Sequence, residues 1–254
     1  MADETKGGPK AAPTKSLEEA LLSIMDQKDH WAWKHFTRGG LRKEQLEIHF
    51  RHEFLTYVRD FPVLLARLLG QGPPIDVRAA LARNIDEEQT GHYSFGISHP
   101  ELFLQMMDGL GIARAAVCEG PLEPEALAYR ALLDRYSGSP PWYVGAAVVT
   151  IFVEGSIHER DERRGTRAVA PIEQAIAAHP LVRFYGCPPE AMKLARAHRA
   201  VEGAHRRDGW DALLGHLPPD PASHEAVTAA VAAAHEAWLQ YRDGVARAMG
   251  LDAT

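Results

Sequence analysis

Apolar residues recur along this chain at helical intervals. Between Lys43 and about Leu69 they fall at Leu46, Phe50, Phe54, Tyr57, Phe61 and Leu64, the spacing that lines one helix face. Pro62 lies inside this run and should kink it, because proline lacks the N–H that an interior turn needs. The same periodicity predicts helices over 76–90, from Ser98 to Gly109–Gly111, and over 124–136, 141–163, 168–178, 188–214 and 223–249. A short helix at 30–37 stops at Gly39-Gly40. Ser16-Leu17-Glu18-Glu19 reads as a capping box opening a helix that carries Leu21, Leu22 and Ile24. Alternating runs bounded by turn residues, the mark of strands, are absent. The run Val144 to Val153 is too short to span a bilayer and reads as a buried helix. No repeat and no linker divides the chain. The expectation is an all-α, single-domain bundle of seven or eight helices over 16–254, behind a flexible tail at 1–15.

Composition narrows the partners. The chain has 254 residues and a net charge of −6, with acids and bases interspersed. No basic stripe stands out, which argues against nucleic acid. Cys118 and Cys187 are the two cysteines, far apart and outside any Cys-x-x-Cys pair. Neither a disulfide framework nor a zinc ribbon is indicated, and a reducing cytoplasm is the simplest setting. The first fifteen residues hold no apolar stretch, so no secretory signal and no membrane segment are expected.

The sharpest chemical feature is His198-x-x-x-Glu202-x-x-His205. At about 100° per residue, these positions lie within about 60° of one another on a helix. Imidazole plus carboxylate suits iron, manganese or zinc. From spacing alone a solvated polar face fits as well, since Arg196, Arg199, Arg206, Arg207 and Asp208 surround the triplet. Glu154 ends the apolar run at 148–153, where a carboxylate is costly unless paired or ligated. Its bland partners would be Arg160 or Arg163, and His158 follows one turn on. Glu88, within Asp86-Glu87-Glu88-Gln89, and His99, within Ser98-His99-Pro100-Glu101, are also ordinary helix-end residues. Together, Glu88, Glu154, Glu202, His99, His198 and His205 make three carboxylates and three imidazoles. Facing helices of a bundle can supply a two-metal site from such a set. The ferritin-like pattern wants two Glu-x-x-His motifs, and only Glu202-x-x-His205 is present. No His-Glu-x-x-His, phosphate-binding loop, dinucleotide fingerprint or Gly-x-Ser-x-Gly elbow occurs.

With these residues in view, the chain resembles the haem-oxygenase-like helical proteins. The branch is the one holding pyrroloquinoline-quinone synthase, the thiaminase II group and the chlamydial protein associating with death domains. It looks most like the diiron oxidases of that branch. The segment His30-Trp31-Ala32-Trp33-Lys34-His35-Phe36 with Leu41-Arg42-Lys43-Glu44-Gln45-Leu46 is similar to their opening. Phe61-Pro62 matches a like pair. Asn84-Ile85-Asp86-Glu87-Glu88 and His99-Pro100-Glu101-Leu102-Phe103 match their third-helix signature. The resemblance covers about His30 to Leu214. It implies metal ligation by Glu88, His99, Glu154, His198, Glu202 and His205, with Glu87 or His92 as alternatives within the variable stretch. It also implies a dinuclear non-haem iron oxidase or oxygenase, with two iron ions (manganese being an option at one) and O2 as co-substrate. The implied substrate is a small amine- or carboxylate-bearing metabolite, oxidised by N-oxygenation, hydroxylation or carbon–carbon cleavage. Relatives often pair, so a homodimer is compatible. Other readings are a cofactor-independent quinone-synthase-like oxidase and a non-catalytic interaction protein with a vestigial site. Thiaminase II needs a cysteine nucleophile, and neither cysteine here falls at its motif. Arg59, His49, Tyr57 and Tyr143 are candidate substrate-side or supporting groups.

Overall fold

Residues 12–139 and 141–253 are described by a computed structural model, apart from the side chains at 12–15, 202, 204 and 205. Helix α1 (Ala12–Met25) buries Leu17, Leu21, Leu22 and Met25 along one stripe. It begins before Ser16, so the expected capping box does not open it. The part of the expected tail at 12–15 is helical, and 1–11 lie outside the described residues. Helix α2 (Trp33–Thr37) is the short helix expected at 30–37.

The Lys43–Leu69 pattern forms two helices rather than one kinked helix. Helix α3 (Lys43–Glu53) runs on into a π-helical segment, Phe54–Val58, and α4 (Phe61–Gly70) starts afresh after Asp60. Pro62 stands in the first turn of α4, where its missing N–H has no partner to lose. Helix α5 (Ile75–Thr90) ends at Gly91, which adopts φ 65°. A Cβ there would sit 2.2 Å from the Ile97 carbonyl oxygen, so this tight turn requires glycine. The turn returns the chain to α6 (His99–Gly109), whose N-cap Ser98 accepts from the Glu101 amide at 3.4 Å. Helices α7 (Arg114–Cys118) and α8 (Pro124–Gly138) follow.

The single helix expected over 141–163 is also divided. Helix α9 (Trp142–Ala146) continues into a π-helical segment, Ala147–Val153, which ends at Glu154. Lys28 explains the stop. Its Nζ donates to the carbonyls of Phe152 (2.5 Å), Val153 (3.2 Å) and Gly155 (2.6 Å), satisfying acceptors that a helix end leaves open. The chain resumes as α10 (Glu159–Arg163), then α11 (Ile172–Ala178) and α12 (Pro180–Tyr185). His158 is the N-cap position of α10, not a further turn of the helix bearing Glu154. A 3-10 turn, Pro189–Ala191, precedes α13 (Lys193–His216), and α14 (Pro221–Ala248) closes the chain.

There are thus more and shorter helices than seven or eight, and no strand among the described residues. Helix α14 packs on α1, α8 and the second π segment. Helices α5 and α6 pack on each other and on α13, which also lies against the second π segment. Gly209 permits that last contact: a Cβ would meet Thr150 Oγ1 at 2.8 Å. Among the described residues no helix is long and apolar enough to cross a membrane.

Candidate metal centre

Of the four elements that carry the candidate ligands, α13 packs on each of the other three, and α5 packs on α6. Glu88 lies on the last turn of α5, His99 opens α6, Glu154 ends the second π segment, and His198 lies on α13. Glu202 and His205 are also on α13, one and two turns beyond His198, but their side chains are outside those described.

His99 is the hub. Its ring is buried, and it faces three neighbours. Nε2 lies 3.1 Å from Glu87 Oε1, Nδ1 lies 2.9 Å from Glu88 Oε1, and the ring centroid is 5.1 Å from that of His198. The Nδ1 contact is short enough for a hydrogen bond, but its direction is not suitable, so this buried nitrogen has no hydrogen-bond partner. Burial works against a charged imidazole here. The Glu88 and Glu87 carboxylates outweigh it and hold the His99 pKa above the ordinary value.

Glu87 plays a different part from Glu88. It is fully buried, and it accepts from the Tyr93 amide at 2.6 Å, the Ser94 hydroxyl at 2.5 Å and His99 Nε2. Burial raises its pKa, yet these donors prevail and hold it below the usual carboxylate range. A carboxylate occupied in this way fixes the direction of His99 and leaves Nδ1 facing Glu88. His92 does not compete for that role: it is exposed, contacts Asp86 at 2.8 Å and stacks on Tyr93.

Glu154 accepts from Asn84 Nδ2 at 2.9 Å. Asn84 is buried one turn before Glu88 on α5, so it ties the π segment to the Glu88 side of the site. The arginines named as bland partners are engaged elsewhere. Arg160 bonds to Glu19 and to Asp26 (2.8 Å), and Arg163 bonds to Glu18 at 2.6 Å. Glu154 and His198 both line a cleft of about 1010 Å³, with Gly203 and Trp210 further along α13 and an exposed His158 at its edge. Glu159, a carboxylate the sequence did not flag, also lines it. Glu159 is buried and accepts from the Trp210 indole at 2.8 Å.

The remaining sequence candidates lie elsewhere. Arg59 pairs with its neighbour Asp60 at 2.9 Å, and Tyr143 meets Ser223 at 3.1 Å. His49 and Tyr57 both approach Glu53, which is bonded to Arg242 at 2.8 Å.

Among the described residues, no three His, Cys, Asp or Glu side chains converge closely enough to hold one ion. The donors nevertheless fit a metal in kind. They are imidazoles and carboxylates, and one of them is a buried imidazole nitrogen with no hydrogen bond, beside a carboxylate oxygen.

The comparisons with known proteins agree with this chemistry. The sequence profile of the Haem_oxygenas_2 family, described as iron-containing redox enzymes, matches residues 48–239. The chain belongs to that family. Its haem-oxygenase-like fold is shared by a solved structure, a TenA homolog from Pseudomonas syringae pv. tomato. That structure matches with a TM-score of 0.68 at 14% identity, over 97% of this chain and 100% of the other. No curated protein matches the chain in sequence. TenA proteins belong to the thiaminase II group, whose cysteine motif neither Cys118 nor Cys187 matches in the sequence. Burial raises the Cys118 pKa and pushes Cys187 up to about 11, whereas a nucleophilic cysteine needs a depressed one.

Proposed function

We propose that this protein is a non-haem diiron oxidase or oxygenase that uses O2 to oxidise a small amine- or carboxylate-bearing metabolite. The observation that carries the reading is the His99 environment. Glu87 holds one ring nitrogen, the other is buried 2.9 Å from Glu88 Oε1, and the His198 ring lies 5.1 Å away. Iron bound between these groups would supply the electrons that reduce O2.

The chain's own residues do the rest. Glu88, His99, Glu154, His198, Glu202 and His205 would hold two ions. Glu87 and Asn84 orient His99 and Glu154 through their hydrogen bonds. The wide cleft beside Glu154 and His198 gives access from solvent. Trp210 and Glu159 form one wall of it and are tied together.

Exposure of the anaerobic Fe(II)-loaded protein to O2 tests the reading. A transient visible absorption band is expected, together with O2 consumption that a strong chelator abolishes. O2 consumption that survives complete chelation would instead identify a cofactor-independent oxidase.

A further inference from the structure

The wide cleft beside Glu154 and His198 is also lined by Arg163, Arg167, Arg199 and Arg206, in a chain whose net charge is −6. Carboxylates do not match these arginines one for one. Arg163 pairs with Glu18 at 2.6 Å. Arg206 approaches Glu159 at 3.5 Å and Glu162 at 2.5 Å. Glu162 is shared, because Arg167 meets its other oxygen. Arg199 has no ion pair among the described residues, and its Nη2 donates to the Ala170 carbonyl at 2.8 Å. That bond holds α13 against the loop that carries Arg167, three residues before Ala170.

The guanidiniums stand close enough to repel one another. Partial burial, and after it the charges of Arg206 and Arg199, hold the Arg167 pKa below its ordinary value. Donors are nevertheless left over, and water reaches them. Arg167 meets Glu162 through Nη1, which leaves its parallel Nε and Nη2 donors as a whole edge, and its side chain is 36% exposed. Arg199 is exposed, and its Nε and Nη1 are unbonded among the described residues. An anion against these donors would offset the repulsion. Phosphate suits them better than one carboxylate, since it gathers nearly two charges and three acceptor oxygens in one group.

At about 1010 Å³ the cleft stands at the top of the usual range of ligand sites, about 300–1,000 Å³, and is far larger than an inorganic ion. It is also partly aliphatic. Val169, two residues beyond Arg167, is 59% exposed, and Ile172 and Ile176 line the same cleft. A short apolar arm on the ligand would cover these side chains.

We propose that the cleft binds a phosphate monoester, with its dianion at Arg167 and Arg199, in the field of Arg206, and its apolar arm along Val169, Ile172 and Ile176. Binding itself does not depend on iron. The further step, that this ester is the molecule oxidised, rests on the proposed oxidase reading and on the cleft being shared with Glu154 and His198.

Calorimetric titration of the full chain, freed of metal by dialysis and held at constant ionic strength, tests it. The probes are n-butyl phosphate, inorganic phosphate and pentanoate. Butyl phosphate is expected to saturate one site. Inorganic phosphate, without the arm, and pentanoate, without the second charge, should each bind about tenfold more weakly. The double variant Arg167→Gln/Arg199→Gln should bind butyl phosphate at least about tenfold more weakly, whereas Arg135→Gln, an exposed arginine on α8, should bind it as the parent does. If the double variant does not fold, Val169→Glu decides, since it keeps both arginines and sets a like charge beside the ester; it should also lose binding. No saturable heat at millimolar butyl phosphate, equal affinity for the three probes, undiminished binding by the folded variants, or an equal loss in Arg135→Gln would overturn the proposal. Ester binding by a chain that takes up no iron would leave this site standing and sink the oxidase reading alone; iron uptake without ester binding would do the reverse.

Discussion

Glu87 and Glu88 are sequence neighbours with opposite surroundings. A step of about 100° around α5 sends one carboxylate into a fully buried nest of donors and leaves the other partly open beside His99 Nδ1. Glu87→Ala should therefore reduce iron affinity by about 10- to 100-fold, read by competition with a chelator, because His99 loses its orienting partner. It should also cost about 1–3 kcal/mol of stability, since the Tyr93 amide and Ser94 hydroxyl lose their acceptor. His92→Ala, at an exposed position, should change neither. The sequence left Glu87, Glu88 and His92 open because adjacent acids on a helix differ only in which side faces the core. That side was set by the Gly91 turn and by Tyr93 and Ser94, residues without a motif of their own. The α13 triplet stands out in the sequence because its spacing lies within one element, and the side chains of Glu202 and His205 lie outside those described. The Arg242–Glu53 pair joins residues 189 positions apart, and no local pattern reports it.

At the scale of elements, the contact between α13 and the second π segment sets the distance between His198 and Glu154. Gly209→Ala would bring a methyl to within 2.8 Å of Thr150 Oγ1. It should destabilise by about 1–3 kcal/mol, seen as a lower Tm, and should weaken iron retention as α13 is pushed outward. Adding Thr150→Ala should recover much of both losses; no recovery would show that the contact is not what matters. The apolar period located almost every helix but missed the divisions within 43–69 and 141–163. Periodicity records which face is buried, and that face continues through both π segments. The breaks depend on partners far away, such as the Lys28 ammonium bonded to the carbonyls of Phe152, Val153 and Gly155. A Lys28→Met variant should lose about 1–3 kcal/mol by leaving those acceptors unmet.

Across the whole molecule, several histidines are folded in as neutral groups. Burial lowers the pKa of His30, His49, His52 and His179. His52 is typical: one ring nitrogen meets the Ile48 carbonyl at 2.7 Å and the other accepts from the Glu123 amide at 3.1 Å. The unfolded chain binds more protons than the folded one at these sites. Stability is then fully present above the unfolded imidazole value, about 6.5, and is lost as pH falls below it toward the depressed folded values. Denaturant midpoints should fall between about pH 7 and pH 5, and His52→Phe should shallow that slope. His99, with a raised pKa, contributes in the opposite sense and offsets part of the loss. The all-α fold was legible from the chain as a whole, because helical spacing without strand signals leaves few alternatives. The family match over residues 48–239 agrees with it.

The central claim is that one end of this bundle holds two iron ions between α5, α6, α13 and the second π segment. Metal analysis after anaerobic Fe(II) loading and desalting tests it most directly, on the parent chain and on Glu202→Ala and His205→Ala. About two irons per chain in the parent, falling to about one or none in folded variants, is the expected result. A parent chain that retains no iron, or variants that retain as much as the parent, would contradict it.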